Sequence, residues 1–237
     1  MLYIVSAYNI LVNWTRNRRF VGLLLMAVSL VALVWGLWPL PVQTRRLAIS
    51  PVEMLPADLT PGPAGDLPAV AEPRLLLLEW PSVIRTGDLA SIRLAFSSAK
   101  MEGASLQSSP AAGEGYSVLA QARLELPVIP HTPMGEVSQG VFPGRPVLFI
   151  WDLRPQRAGD ANGTVWLHLS FVPLAGGPTL RQVLTAQRIQ IRVINLLGLS
   201  GPWARALGSA GVVVGAVLVL DGVMTWLWSR LQRQFGE

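Results

Sequence analysis

The chain has 237 residues, 51% hydrophobic and only 14% charged, with a formal net charge of +5. It has no cysteine, which excludes disulfides, thiolate catalysis and cysteine-ligated metal. The basic balance does not indicate nucleic acid: between Leu47 and Ala204 eleven basic residues meet twelve acids, and the other eight arginines flank two apolar runs.

At the N-terminus, Ser6, Asn9, Asn13 and Arg16 fall three, four and three residues apart, forming one polar stripe on an otherwise apolar segment. This spacing predicts an amphipathic interfacial helix over 1–19, lying in the plane of a membrane surface or docked on a partner. The plainer alternative is an extension of the helix that follows. Residues 20–40 carry no charge and are long enough, at ~1.5 Å per residue, to cross the ~30 Å hydrocarbon core. Arg16, Arg18 and Arg19 precede the run. Trp38-Pro-Leu-Pro-Val42 follows it where a secretory signal would carry a small-residue cleavage site. The run therefore reads as a retained first transmembrane helix.

Residues 41–73 are dominated by Pro, Gly, Ala and Asp after Ser50 and read as an extended linker, because Pro lacks the N–H and Gly carries an entropic cost in regular elements. From 74 to 196 the period becomes two. Ile92, Leu94 and Phe96 alternate with more polar neighbours, as do Val118 to Leu126, Val165 to Phe171 and Ile189 to Val193. Leu75–Glu79 and Val147–Asp152 are more uniformly apolar strands. No helical period separates these segments, which argues against parallel βαβ units and predicts an all-β, antiparallel, Ig-like sandwich displayed outside the membrane. The loop from Arg154 to Gly163 contains Gly159-Asp-Ala-Asn-Gly163, which has the composition of a calcium loop without its spaced acids and reads as a hairpin turn.

A short tether, 197–206, leads to a second apolar run at 207–228, the second transmembrane helix, and then to a cytoplasmic tail at 229–237. Gly208, Gly211, Gly215 and Gly222 share one face of that helix and include a G-x-x-x-G motif, which predicts close packing against a helix of another subunit. Asp221 is the one acid of the run. A carboxylate at that depth predicts an intramembrane polar contact. Trp14, Trp35, Trp38, Trp203, Trp226 and Trp228 sit at the predicted helix ends, where an indole suits the interface. With Arg16, Arg18, Arg19, Arg230 and Arg233 they form the membrane-interface anchors. The termini carry five flanking arginines against three on the inner side (Arg45, Arg46, Arg205), so the positive-inside rule predicts cytoplasmic termini in a bacterial inner membrane.

Chemistry-bearing residues are sparse. His131 and His168 are the only histidines, and a triad or two-histidine metal site would need them to meet. No catalytic residue, cofactor or metal site is predicted, and neither an enzyme nor a nucleic-acid binder is expected. The expected function is a non-catalytic accessory or scaffolding subunit of a larger energy-converting or transport complex, its partners being other integral membrane subunits and the lipid bilayer. The alternative is a stand-alone membrane-anchored binding or receptor module, for which Trp166 beside His168 on an outward face is the one hint.

Overall fold

The computed structural model describes residues 2–54, 73–98 and 116–234. In chain order the elements are α1 (Leu2–Leu37), β1 (Val42–Ile49), α2 (Pro51–Met54), β2 (Arg74–Pro81), β3 (Val83–Arg85), β4 (Ala90–Ser98), β5 (Tyr116–Glu125), β6 (His131–Thr132), β7 (Val137–Gly140), β8 (Val147–Leu153), β9 (Gly159–Pro173), β10 (Leu180–Ile194) and α3 (Gly201–Gln234). They divide into two compact units. One joins Met1–Pro39 to Asn195–Glu237, and the other is Leu40–Ile194.

Two long apolar helices thus flank a mostly antiparallel β-sandwich in the chain. One sheet has the order β1-β2-β4-β8-β6 and the other β3-β10-β9-β5-β7. All pairings are antiparallel except β3 with β10. The chain changes sheets at Ser82, whose N–H and hydroxyl both donate to the Pro41 carbonyl while its own carbonyl accepts from the Arg192 N–H. The predicted alternation appears as burial. Ile92, Leu94 and Phe96 meet Ala120, Leu124, Leu167, Leu169, Phe171, Ile189 and Ile191 between the sheets. Phe149 and Trp151, two apart on β8, point to the same side, with ring centroids 6.2 Å apart. Arg74 is also fully buried. It donates to the Phe142 carbonyl at 3.1 Å, and its guanidinium lies 5.1 Å from the Phe96 ring centroid.

Several predicted boundaries are corrected. The domain begins before 74, because residues 42–49 of the predicted linker form β1, paired with β2 in register from Val42↔Pro81 to Ile49↔Arg74. Seven of its eight residues are exposed, so pairing rather than burial makes it a strand, and no apolar alternation marks it in the sequence. Met54 of α2 is fully buried in the same core. The remaining linker, 55–72, lies outside the described residues. Gly159–Gly163 is no hairpin turn: it opens β9 and pairs with Val193 through Ile189.

The helices are longer than the apolar runs. α1 is continuous from Leu2, so 1–19 is an extension of the apolar helix and not a separate segment, in keeping with the absence of Gly and Pro before Gly22. It stops ahead of Pro39, which disfavours helical backbone in the residue before it. α3 takes in Gly201–Ala206 of the predicted tether and continues to Gln234 in the predicted tail. Its first helical bond runs from the Ala204 N–H to the Ser200 carbonyl at 2.8 Å, and Pro202 sits in the first turn, where no N–H is needed.

What remains of the tether is a tight hairpin. Leu196 and Leu199 exchange backbone hydrogen bonds of 3.1 and 2.8 Å. Leu197 (φ 50°) and Gly198 (φ 87°) occupy its two centre positions, the signature of a type I′ turn. Left-handed backbone costs a non-glycine residue about 1–2 kcal/mol.

Candidate functional site

The glycine face of α3 is occupied, and the occupant is α1 of the same chain. A Cβ built on Gly208 would lie 2.8 Å from the Leu33 backbone nitrogen. On Gly211 it would lie 2.0 Å from Ser29 Oγ, and on Gly215 2.8 Å from the Gly22 carbonyl oxygen. These approaches are too short for any side chain on α3. The relation is reciprocal: a Cβ on Gly22 would meet Leu218 Cβ at 3.0 Å, and one on Gly36 would meet Arg205 Cγ at 2.7 Å. Gly22, Ser29 and Gly36 are seven residues apart, as are Gly208 and Gly215, so two helices with a seven-residue small-side-chain period pack antiparallel at backbone distance.

The expectation that this face waits for another subunit is therefore corrected. The signal in α1 was available, since Gly22-x6-Ser29-x6-Gly36 is plain in the first apolar run. Arg205 adds a polar clasp by donating from Nη1 to the Gly36 carbonyl at 3.1 Å. It supplies a cation to the C-terminus of α1, whose own last turn has none.

Trp35, Trp38 and Trp203 all lie at the Arg205 end of this pair, Trp38 and Trp203 being about two-thirds exposed. Trp228 is exposed towards the other end, and Asp221 is exposed on α3. Gly222, Trp14, Trp226, Arg16, Arg18, Arg19, Arg230 and Arg233 lie within the two helices, but their side-chain surroundings fall outside the described residues. Trp14 precedes Trp35 by 21 residues, about 32 Å at ~1.5 Å per residue. Phe20–Leu37 and Gly201–Asp221 are each long and apolar enough to cross a membrane.

The sandwich has two contrasting outer faces. On the β1-β2-β4-β8-β6 sheet, Leu77, Ala95 and Leu148 form a cross-strand row flanked by Leu75 and Ile150. Leu148 and Ile150 are 45% and 44% exposed. The other sheet is polar outside. Trp166 and His168 stack there with centroids 6.2 Å apart and planes at 13°, and the indole N–H donates to Glu125 Oε2 at 3.0 Å. Arg123 lies 3.3 Å from the same carboxylate. Burial, and after it the Arg181 charge, hold the His168 imidazole below its ordinary value, while Glu136, paired with Arg181, pulls the other way.

An open cleft of about 1030 Å³ lies where β5 ends and β9 continues without it, bordered by Arg123, Glu125, His131, Met134, Asn162 and Arg188. The Asn162 side chain, in the sequence pattern of a glycosylation acceptor, is exposed there. His131 Nδ1 lies 3.2 Å from the Ile129 carbonyl. His131 belongs to β6 at the edge of one sheet and His168 to the outer face of the other, so the two do not converge. Among the described residues no three His, Asp or Glu side chains gather in metal-ligand geometry.

No family model and no curated protein matches the chain. Solved structures similar to the sandwich include a CARDB domain from Pyrococcus furiosus, 10% identical over 49% of this chain and 84% of that one, with a TM-score of 0.28. Another is a human ASH/PapD-like domain, 11% identical over 48% of this chain and 81% of that one, with a TM-score of 0.26. At these TM-scores the assignment of a β-sandwich rests on the strand pairings above.

Proposed function

We propose that this chain is a two-pass membrane protein in which α1 and α3 cross the bilayer as an antiparallel pair and the sandwich serves as the extracytoplasmic part of a non-catalytic accessory subunit. One observation carries the membrane reading: only 17% of each apolar span is buried within the structure. In water the pair would expose Phe20, Leu23, Leu24, Val28, Val31, Val213, Val217 and Leu220 along its length, far beyond the apolar patch a soluble monomer tolerates. In lipid the same surface is satisfied, and the ~32 Å between tryptophan levels matches one hydrocarbon thickness. The excess of arginine at the two ends of the chain favours cytoplasmic termini in a bacterial inner membrane.

The accessory role draws on the outward apolar row of Leu75, Leu77, Leu148 and Ile150, a surface suited to another protein. With the glycine groove filled from within, neighbouring membrane subunits would meet the outside of the pair, along exposed side chains such as Val214, Val217 and Leu220. The complex served would be an energy-converting or transport assembly.

The test is mild detergent extraction, native electrophoresis and mass spectrometry of the companions. An assembly of fixed stoichiometry that is lost in Leu148→Arg/Ile150→Glu, with the sandwich still folded, supports the subunit reading. A lone monomer or dimer unaffected by those changes refutes it. The cleft bordered by Arg123, His131 and Arg188 favours a second reading, a stand-alone binding module. That reading predicts a lone chain that binds a small anion or peptide with an affinity lowered by Arg188→Ala.

A further inference from the structure

The hairpin before α3 is built against its own sequence preference. Type I′ turns favour Asn, Asp or Gly at the first centre position, because these tolerate left-handed backbone. Here the position is Leu197, held at φ 50° and 98% exposed, the most exposed of the large apolar side chains among the described residues. A leucine there gains almost nothing from the described residues, and an asparagine would suit the turn better. Single exposed leucines are ordinary on a protein surface. A fully exposed one in a strained backbone position calls for an external contact.

Its surroundings indicate which contact. Leu197 lies four residues ahead of the first residue of α3, in the same compact unit as Trp38 and Trp203, both exposed at that end of the helix pair. Arg205, at the same end, brings the cation typical of the headgroup layer. Leu196 and Leu199, the paired positions of the hairpin, are also apolar. Such a short, leucine-tipped loop, closed by two backbone hydrogen bonds in the unit that carries the exposed tryptophans, suits the boundary between headgroups and acyl chains.

We infer that the Leu196–Leu199 hairpin is a membrane-dipping anchor, with Leu197 inserted into the extracytoplasmic leaflet beside Trp38 and Trp203. This rests on the membrane reading of the helix pair. It adds a third apolar attachment that fixes how deeply the start of α3 sits and how that end of the chain is held against lipid. The occupant is the lipid surface itself.

The chain has no cysteine, so single labels can be placed cleanly. The full chain would be reconstituted in vesicles of phosphatidylcholine and phosphatidylglycerol at a 3:1 ratio. It would carry a nitroxide on Leu197→Cys, on Val213→Cys in the middle of α3, or on Leu174→Cys. Leu174 is exposed at the far tip of the β9–β10 ribbon, about 45 Å along β10 from Ile194 at ~3.3 Å per residue. Collision with oxygen, which concentrates in lipid, is compared with collision with a water-soluble nickel chelate.

The expected result is a ratio of oxygen to nickel collisions at 197 well above that at 174 and below that at 213. If 213 is lipid-like while 197 matches 174, the hairpin stands in water and the inference is overturned with the membrane reading intact. If 213 is lipid-like and 197 is shielded from both reagents, a protein contact covers it, and the inference is equally overturned. If 213 itself is water-like, the membrane reading falls and takes this inference with it.

Discussion

The closest approach in the helix pair gives the sharpest test of how it is held. In Gly211→Ala the new methyl group falls 2.0 Å from Ser29 Oγ and 2.8 Å from Ser29 Cβ. Rotating the hydroxyl away removes the first conflict but not the second, so the helices must part by several tenths of an ångström along a seam packed at backbone distance. Overpacking of this kind costs about 1–3 kcal/mol, roughly a five- to 150-fold loss in the closed-to-open ratio. Ser29→Gly removes both offending atoms, so the double variant should recover most of that loss, with a coupling of the same size and opposite sign.

Gly208→Ala offers a contrast. Its methyl group meets the Leu33 backbone nitrogen at 2.8 Å, which no side-chain truncation relieves. The assay is a titration of mixed micelles with SDS, following the distance between spin labels on Val28→Cys and Val213→Cys, both on exposed positions. A silent Gly211→Ala, or a double variant no better than the single one, refutes the assignment of this seam to α1 and α3 of one chain. Loss of a copurifying subunit with the label distance unchanged would instead return the glycines to an interface with a partner.

Arg205→Gln keeps a donor but removes the cation over the end of α1. It should weaken the same pair by about 0.3–1 kcal/mol in the SDS titration, and less at high salt. Met54→Ala should destabilise the sandwich by about 2–5 kcal/mol in urea unfolding, as befits a core side chain; a silent result would return residues 51–54 to the linker. For His168, the imidazole is held below its ordinary value of about 6.5 by burial and then by Arg181. The unfolded chain therefore takes up the proton first. The stabilisation is complete above about pH 6.5 and declines as the pH falls from there through the folded-state value. The urea midpoint should drop on acidification through that window, and His168→Gln should flatten that part of the profile.

Which features could be read from sequence follows from what each residue does physically. Ile92, Leu94 and Phe96 were legible because burial on one face imposes a period of two, and the same holds for Val165 to Phe171 and Ile189 to Val193. β1 was not legible. An edge strand exposed on both faces has no periodic burial to imprint, and its register comes from hydrogen bonds to Leu75–Pro81 that leave no mark on side-chain choice. Gly159–Gly163 misled for a related reason. Glycine, aspartate and asparagine favour turns, yet here the long ladder to β10 overrides local preference.

The helices illustrate a different limit. A G-x-x-x-G stripe reports that some backbone comes close without naming whose it is, and the assignment to another subunit passed over the matching small residues 22, 29 and 36 in the same chain. Pairing the two stripes also changes what the rest of the surface means. With its small residues turned inward, the pair turns bulky aliphatic side chains such as Leu24, Val28, Val31, Val213 and Val217 outward among the described residues, as an element facing lipid should. In the proposed subunit reading, contact with a partner falls to a feature this packing leaves outside, the Leu77–Leu148 row on the sandwich. Under that reading, substituting the row, and not the glycines, is what separates assembly from folding.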